Sequence, residues 1–190
     1  VPQITTIVKL AVEKILKKNV LVVGAGIKTG LNIRIDNPAQ LGSDLVVDSV
    51  AAIVEYPAPL LIFDLGTANT VCVIDKNKNY IGGMIYPGIG VSLDSLTAHA
   101  SQLGGISIEA PEHMIGKNTT ECMKSGLIYS SAAAMDGIID RLQEQLGGEA
   151  TVIATGGLAK KIVPHCRREI ILDDDLLLKG LAIIYKKNRK

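Results

Sequence analysis

Two stretches of this sequence combine residue types and spacings that could do chemistry. In one, Leu60-Leu61-Ile62-Phe63 runs into Asp64, and the turn Gly66-Thr67-Ala68-Asn69-Thr70 follows before Val71-Cys72-Val73-Ile74-Asp75. The pattern predicts a buried strand, a tight turn and a partner strand, with turn hydroxyls and backbone N–H groups free to face a ligand. Gly66 lets the backbone approach an anion because no Cβ stands in the way. Thr67 can hydrogen-bond a phosphate oxygen, and Asp64 at the strand end can hold a cation or a water. An ordinary hairpin that contains an aspartate fits the same residues. In the other stretch, Asp44 and Asp48 stand one turn apart on a predicted helix and so project from one face. Facing water they form a solvated edge; facing a cleft, Asp44 is placed to accept a proton from a substrate hydroxyl.

Other candidates fall back. Gly24-Ala25-Gly26-Ile27-Lys28-Thr29-Gly30 has neither dinucleotide-binding nor P-loop spacing, and the alternating Leu31–Asp36 run after it is β-type where both motifs need a helix. Lys28 and Arg34 could meet an anion there, but loop cations are more often solvated. Asp173-Asp174-Asp175 reads as helix capping and dipole complementation rather than a metal site. The three cysteines and three histidines are scattered, without zinc-ligand spacing.

Composition sets the frame. The 190 residues are 47% hydrophobic and 21% charged, as in a globular protein with a real core. One Phe, five Tyr and no Trp leave that core to Val, Ile, Leu and Ala. A net charge of +1 supplies no field to draw in nucleic acid. No apolar run reaches the roughly 18–20 residues that span a bilayer. Val1-Pro2-Gln3 opens no basic-then-apolar leader, and the scattered odd set of cysteines suits a reducing compartment, so a cytoplasmic location is expected.

The elements that must position these residues follow from periodicity. An amphipathic helix is predicted over 2–18, with Ile4, Ile7, Val8, Ala11, Val12, Ile15 and Leu16 as its buried face, and then a short strand over 20–23. Asn37-Pro38-Ala39-Gln40 is a helix start, and that helix is predicted to run to about Tyr56. Pro57-Ala58-Pro59 is a stiff link. The hairpin then gains a third strand over 80–86, a helix capped by Ser92, and a long helix capped by Asn118 or Thr119 that ends at Gly147-Gly148. Thr151–Ala154 is a strand leading into Thr155-Gly156-Gly157 and a short helix; a last strand over 169–172 precedes a final helix to about Asn188. The order is mixed α/β.

Strand-Asp-x-Gly-Thr with a meander, and later strand-Thr-Gly-Gly-helix, resembles the phosphate-2 and adenosine elements of the actin/hexokinase/Hsp70 ATPase superfamily, which has a ribonuclease H-like fold. Within it, several segments look like type III pantothenate kinase: Gly26–Leu31, Ile33–Pro38, Gly42-Ser43-Asp44, Asp64–Ala68, Gly82-Gly83 with Pro87–Gly90, Ile115–Thr119, Met123–Gly126 and Val152–Leu158. The resemblance implies ATP-dependent phosphorylation of pantothenate to 4'-phosphopantothenate, the first step of coenzyme A biosynthesis. It makes Asp44 the proton acceptor and places pantothenate against Gly42, Ser43, Asp44, Leu45 and Thr119. It assigns ATP to Gly66, Thr67, Gly156 and Gly157, a monovalent cation (potassium or ammonium) to Asp64, and Mg2+ to the nucleotide. It also implies a homodimer whose pantothenate site draws on both chains.

Two departures stand out. The family's Asp-x-Gly-Asn-Thr phosphate-1 motif, expected ahead of these segments, has no copy here, so the expectation is a shortened first lobe over 1–57 and a complete second lobe over 58–190, with the final helix packing back on the first. The position after Asp44, arginine in the family, is Leu45, and Asp48 stands where a neutral polar residue is usual. A non-catalytic relative, similar to the Bvg accessory factor proteins, or an inactive fragment, is the alternative to the kinase.

Overall fold

Continuous apolar runs in the central strands dictate a sheet covered on both faces, and the computed structural model, which describes residues 2–100 and 102–189, has that arrangement. In chain order the elements are α1 (Pro2–Leu16), β1 (Asn32–Ile33), a 3-10 turn (Pro38–Gln40), α2 (Ser43–Glu55), β2 (Leu60–Leu65), β3 (Ala68–Ile74) and β4 (Asn79–Pro87). Then come α3 (Ile89–His99), α4 (Thr119–Leu146), β5 (Thr151–Thr155), α5 (Ala159–Ile162), a second 3-10 turn (Val163–His165), β6 (Ile171–Leu172) and α6 (Leu176–Asn188). The strand order is β1-β4-β3-β2-β5-β6. β2, β3 and β4 form an antiparallel meander, while β1 runs parallel to β4, β5 to β2, and β6 to β5.

The period of two sorts side chains between the faces. Leu61, Phe63, Leu65, Val71, Val73, Val152 and Ala154 meet Met123, Leu127, Ile128, Met135 and Ile139 of α4. Leu60, Ile62, Cys72, Ile74 and Ile153 meet Ala51, Ala52 and Ile53 of α2 and Leu176 of α6. β2 is buried on both faces, which is why its sequence is continuously apolar up to Asp64. α6 crosses α2 at Gly180, where a Cβ would lie 2.7 Å from Val47 Cγ1 and 2.8 Å from its carbonyl carbon. Only glycine permits that approach, and it lets Ile184 reach Val46, Val47 and Val50.

Several expectations change in three dimensions. Val20–Val23 makes no strand, because no described strand lies beside it to complete a ladder, although Val23 packs near the α2–α6 contact. The α1 helix forms over Pro2–Leu16, but Ile4, Ile7, Val8, Leu10, Ile15 and Leu16 are exposed, since no described element packs on its apolar face. Asn37 caps only the 3-10 turn, accepting from Ala39 N at 3.2 Å, and Gly42 then restarts the chain as α2. Ser92 lies inside α3, which starts at Ile89 after Gly88; its hydroxyl donates to the Gly88 carbonyl at 3.0 Å. Asn118 caps α4 as expected, accepting from Glu121 N at 2.9 Å, and Gly147 ends it in the left-handed region with φ 76°.

Asp175 stands at the N-cap of α6, where its N–H donates to Asp173 Oδ1 at 3.2 Å, and Asp173 has a further role beyond the helix start. Asp175 makes no side-chain cap hydrogen bond. Asp173, buried, accepts from the Tyr56 hydroxyl and from Lys179 Nζ, both at 2.8 Å, while Lys179 also reaches Glu55 at 2.8 Å. Burial alone would push the Asp173 carboxyl up, but the Lys179 and Tyr56 donors hold it below the usual carboxylate range. The network ties the end of α2 to the start of α6.

Candidate active site

Ligands of open α/β sheets bind beyond the carboxyl ends of parallel strands. Here β2 and β5 are parallel neighbours, and Asp64, next to last in β2, pairs across the ladder with Thr155 at the end of β5. A cleft of about 420 Å³ opens there, lined by Asp44, Asp48, Asp64, Thr155, Gly156, Gly157, Asp174 and Leu177. Each residue has a local reason to be there. Gly42 precedes α2, so Asp44 falls in the helix's first turn, where a carboxylate meets the positive end of the helix dipole. Its Oδ1 accepts from Leu45 N at 2.9 Å, and the residue is exposed. One turn later Asp48 is buried, and its Oδ1 has no hydrogen-bond partner.

The Gly156 turn is built by backbone proximity. Gly156 has φ +94°, and a Cβ there would lie 2.7 Å from both Leu65 N and Leu65 O and collide with the Asp64 carboxylate. Leu158 N donates to Leu65 O at 3.1 Å, so the loop after β5 is stitched to the end of β2. The β2–β3 turn is held differently: Gly88 N donates to Thr67 O at 3.0 Å, and a Cβ on Gly88 would lie 2.6 Å from the same oxygen. That contact fixes Gly66 and Thr67 while leaving Thr67 exposed.

The cleft gathers carboxylates with no basic residue among its lining. Burial, and then the charges of Asp64, Asp44 and Asp173, push the Asp48 carboxyl up to about 7. Burial and the Asp44 charge raise Asp64 in the same way. Lys160 of α5 pairs with Asp174 at the rim. Such a site suits a cation: its donors are oxygens, one carboxylate oxygen is buried and unpartnered, and positive charge would relieve the repulsion. Among the described residues no three His, Cys, Asp or Glu side chains converge to chelate one metal ion.

The residues singled out from sequence therefore divide among four places, with Gly66 and Thr67 in the β2–β3 turn, outside the linings of the clefts that hold the others. Asp44, Asp64, Gly156 and Gly157 come together in the acid cleft. Gly42 and Leu45 line an adjacent cleft of about 480 Å³ with Gly82, Gly83 and Met84, and Ser43 is exposed beside them. Thr119 lies elsewhere, in an apolar groove of about 700 Å³ between α3 and α4 with Val91, Leu96 and Cys122. Because α2 and α4 cover opposite faces of the sheet, Asp44 and Thr119 of one chain do not meet. The 24–30 loop is pinned to the end of α6, where the Asn188 side-chain amide donates to Lys28 O at 2.9 Å and Lys187 Nζ to Thr29 O at 3.0 Å. Sequence reasoning left out Asp48, Thr155 and Asp174 as lining residues. The Asp44–Asp48 spacing carried the signal for the first; Thr155 arrives by the parallel pairing of β5 with β2 and Asp174 from the segment between β6 and α6, which no local pattern reveals.

The chain is similar to known proteins in both sequence and fold. A type III pantothenate kinase family profile matches residues 1–141. The type III pantothenate kinase of Bacillus cytotoxicus is 45% identical over 188 residues, covering 99% of this chain and 72% of that protein. That of an Exiguobacterium species is 46% identical over 170 residues, covering 90% and 66%. Among solved structures, a Campylobacter jejuni protein described as a Baf family transcriptional activator superposes with a TM-score of 0.55 at 22% identity, over 84% of this chain and 70% of that one. The ethanolamine utilization protein EutJ of Carboxydothermus hydrogenoformans superposes with a TM-score of 0.53 at 15% identity, over 96% and 72%. The structural likenesses establish the actin-like ATPase fold, and together with the sequence matches they show that the chain belongs to the type III pantothenate kinase family, whose members are ATP-using kinases of coenzyme A biosynthesis.

Proposed function

We propose that the acid cleft transfers the γ-phosphoryl group of ATP to the primary hydroxyl of pantothenate, with Asp44 as proton acceptor. The observation that supports this best is the convergence of Asp44, Asp64 and the Gly156-Gly157 turn at the carboxyl ends of β2 and β5. The hydroxyl oxygen forms a bond to the γ-phosphorus, the bond to the β–γ bridging oxygen breaks, ADP leaves, and the proton passes to the Asp44 carboxylate. Phosphoryl transfer asks for positioning and charge neutralisation more than for covalent chemistry. In this reading Gly66 and Gly156-Gly157 admit the nucleotide, the Thr67 hydroxyl bonds a phosphate oxygen, and Gly42, Ser43 and Leu45 line the approach of pantothenate. Asp64 holds a monovalent cation, potassium or ammonium, and Mg2+ enters with ATP; these ions supply positive charge against the phosphates when bound. The unpartnered carboxylate oxygen in the cleft supports a resident cation.

Thr119, the remaining pantothenate contact, comes from a second copy of the chain in this reading, since its own Asp44 lies across the sheet. The working unit is then a homodimer, acting in the cytoplasm, without nucleic acid or membrane as partner. No helix among the described residues is long and apolar enough to cross a membrane, and the three cysteines are free. The half-buried Leu45, which offers no charge where the family carries arginine, favours a second reading in which the chain binds pantothenate without turning it over. The deciding experiment measures pantothenate-dependent ADP release with and without potassium. Asp44→Asn is expected to lower turnover by about 10²–10⁴-fold while ATP binding persists. Turnover retained in that variant removes Asp44 as the base, and pantothenate binding with no ADP release in the unmodified protein selects the second reading.

A further inference from the structure

The acid cleft holds more carboxylate than proton transfer uses. Asp48 is only 2% exposed, lines the cleft with Asp64, and leaves its Oδ1 buried without a partner. Asp64 has two direct cross-strand neighbours, Thr70 on β3 and Thr155 on β5, so all three side chains stand on the sheet face that α2 covers. The Thr70 Oγ1 is likewise buried without a partner. Buried polar atoms in folded proteins are nearly always paired, so the orphaned Asp48 oxygen in the cleft, with a second orphan on Thr70 next to Asp64 across the ladder, points to a place built for something else. Every candidate donor in the row is oxygen, with no nitrogen or sulfur among them, and no lining residue brings positive charge. Oxygen-only donors with net negative charge select a hard cation.

We propose that Asp48 and Asp64 hold a hard metal cation between them, with the Thr70 hydroxyl as a neutral third donor. Asp48 is thereby a second cation-binding carboxylate, separate from the proton acceptor Asp44. The inference rests on the reading of Asp64 as a cation ligand and extends it across to α2. Two carboxylates and neutral oxygens can serve either a potassium-sized ion or Mg2+, and the test separates them.

The whole chain, without nucleotide, is titrated with KCl or with MgCl2 while tetramethylammonium chloride keeps ionic strength constant, and thermal unfolding is followed. A saturable rise in Tm with potassium, or with magnesium, is expected, and the ion that produces it identifies the occupant. Asp48→Asn, which keeps the side-chain shape, is expected to shift the midpoint of that titration by about tenfold or more. Thr70→Val weakens it less. Without either ion Asp48→Asn unfolds at a higher temperature than the unmodified chain, because one repelling charge is gone. No response to either ion, or an unchanged midpoint in folded Asp48→Asn, overturns the proposal. If Asp64→Asn abolishes the response while Asp48→Asn keeps it, Asp64 stands as the ligand and Asp48 alone falls. If neither variant alters the response, the Asp64 reading falls with it.

Discussion

Replacing Asp48 by asparagine should make the protein more stable, and the gain should depend on pH in a defined way. Burial, followed by the charges of Asp64 on β2, Asp44 on α2 and Asp173 before α6, raises its carboxyl from 3.8 to about 7. At about 1.36 kcal/mol per pKa unit, the penalty of ionising it in the native state approaches about 4 kcal/mol. Between those two values the native chain keeps a proton that the unfolded chain has lost. Stability therefore falls as pH rises from about 4 to about 7, and levels off above. Asp64 titrates in the same direction; Asp173, held low by Lys179 and Tyr56, contributes stability that is lost as pH falls. Both are present in either protein and largely cancel in the difference. Urea unfolding in metal-free tetramethylammonium buffer is thus expected to give equal stability near pH 4. By pH 8 the asparagine variant should lead by about 2–4 kcal/mol. A gap that does not change with pH, or a less stable variant at pH 8, would refute the electrostatic account of the cleft.

Three further outcomes test the elements around the site. Gly180→Ala places a methyl against Val47 where α6 crosses α2; chemical denaturation should show a loss of about 1–3 kcal/mol despite the better helix former. Tyr56→Phe removes the 2.8 Å hydrogen bond to Asp173 and should cost about 1–2 kcal/mol at neutral pH, a difference that shrinks once acid protonates Asp173. Leu45→Arg restores a charged fork beside Asp44 and should tighten pantothenate binding by calorimetry, whereas unchanged affinity would show that this position makes no substrate contact.

Much of the frame was legible because its signals are local. The continuously apolar β2 could only be a strand buried on both faces, the Asn118 cap and Gly147 terminus bound α4, and the Gly66 and Gly156 turns follow their strands as read. The resemblance to pantothenate kinases rested on such short segments, and so did the choice of Asp44 and Asp64. Burial was not legible where it depended on a distant partner. The amphipathic pattern of α1 is real, yet its face is exposed, and Val20–Val23 has strand composition without a strand beside it.

The sequence by itself determined which residues could handle a hydroxyl, a phosphate and a cation, since side-chain type and spacing along a helix or strand are properties of the chain. Only the tertiary structure decided how they are grouped. Parallel pairing of β2 with β5 brought Thr155 and Gly156 to Asp64, and the Gly180 crossing seated α2 against α6. The two-faced sheet set Thr119 apart from Asp44. Most of all, packing turned Asp48 from one of two acids on a helix into a buried, unpartnered carboxylate: charge is written in the residue, but its desolvation depends on what folds over it.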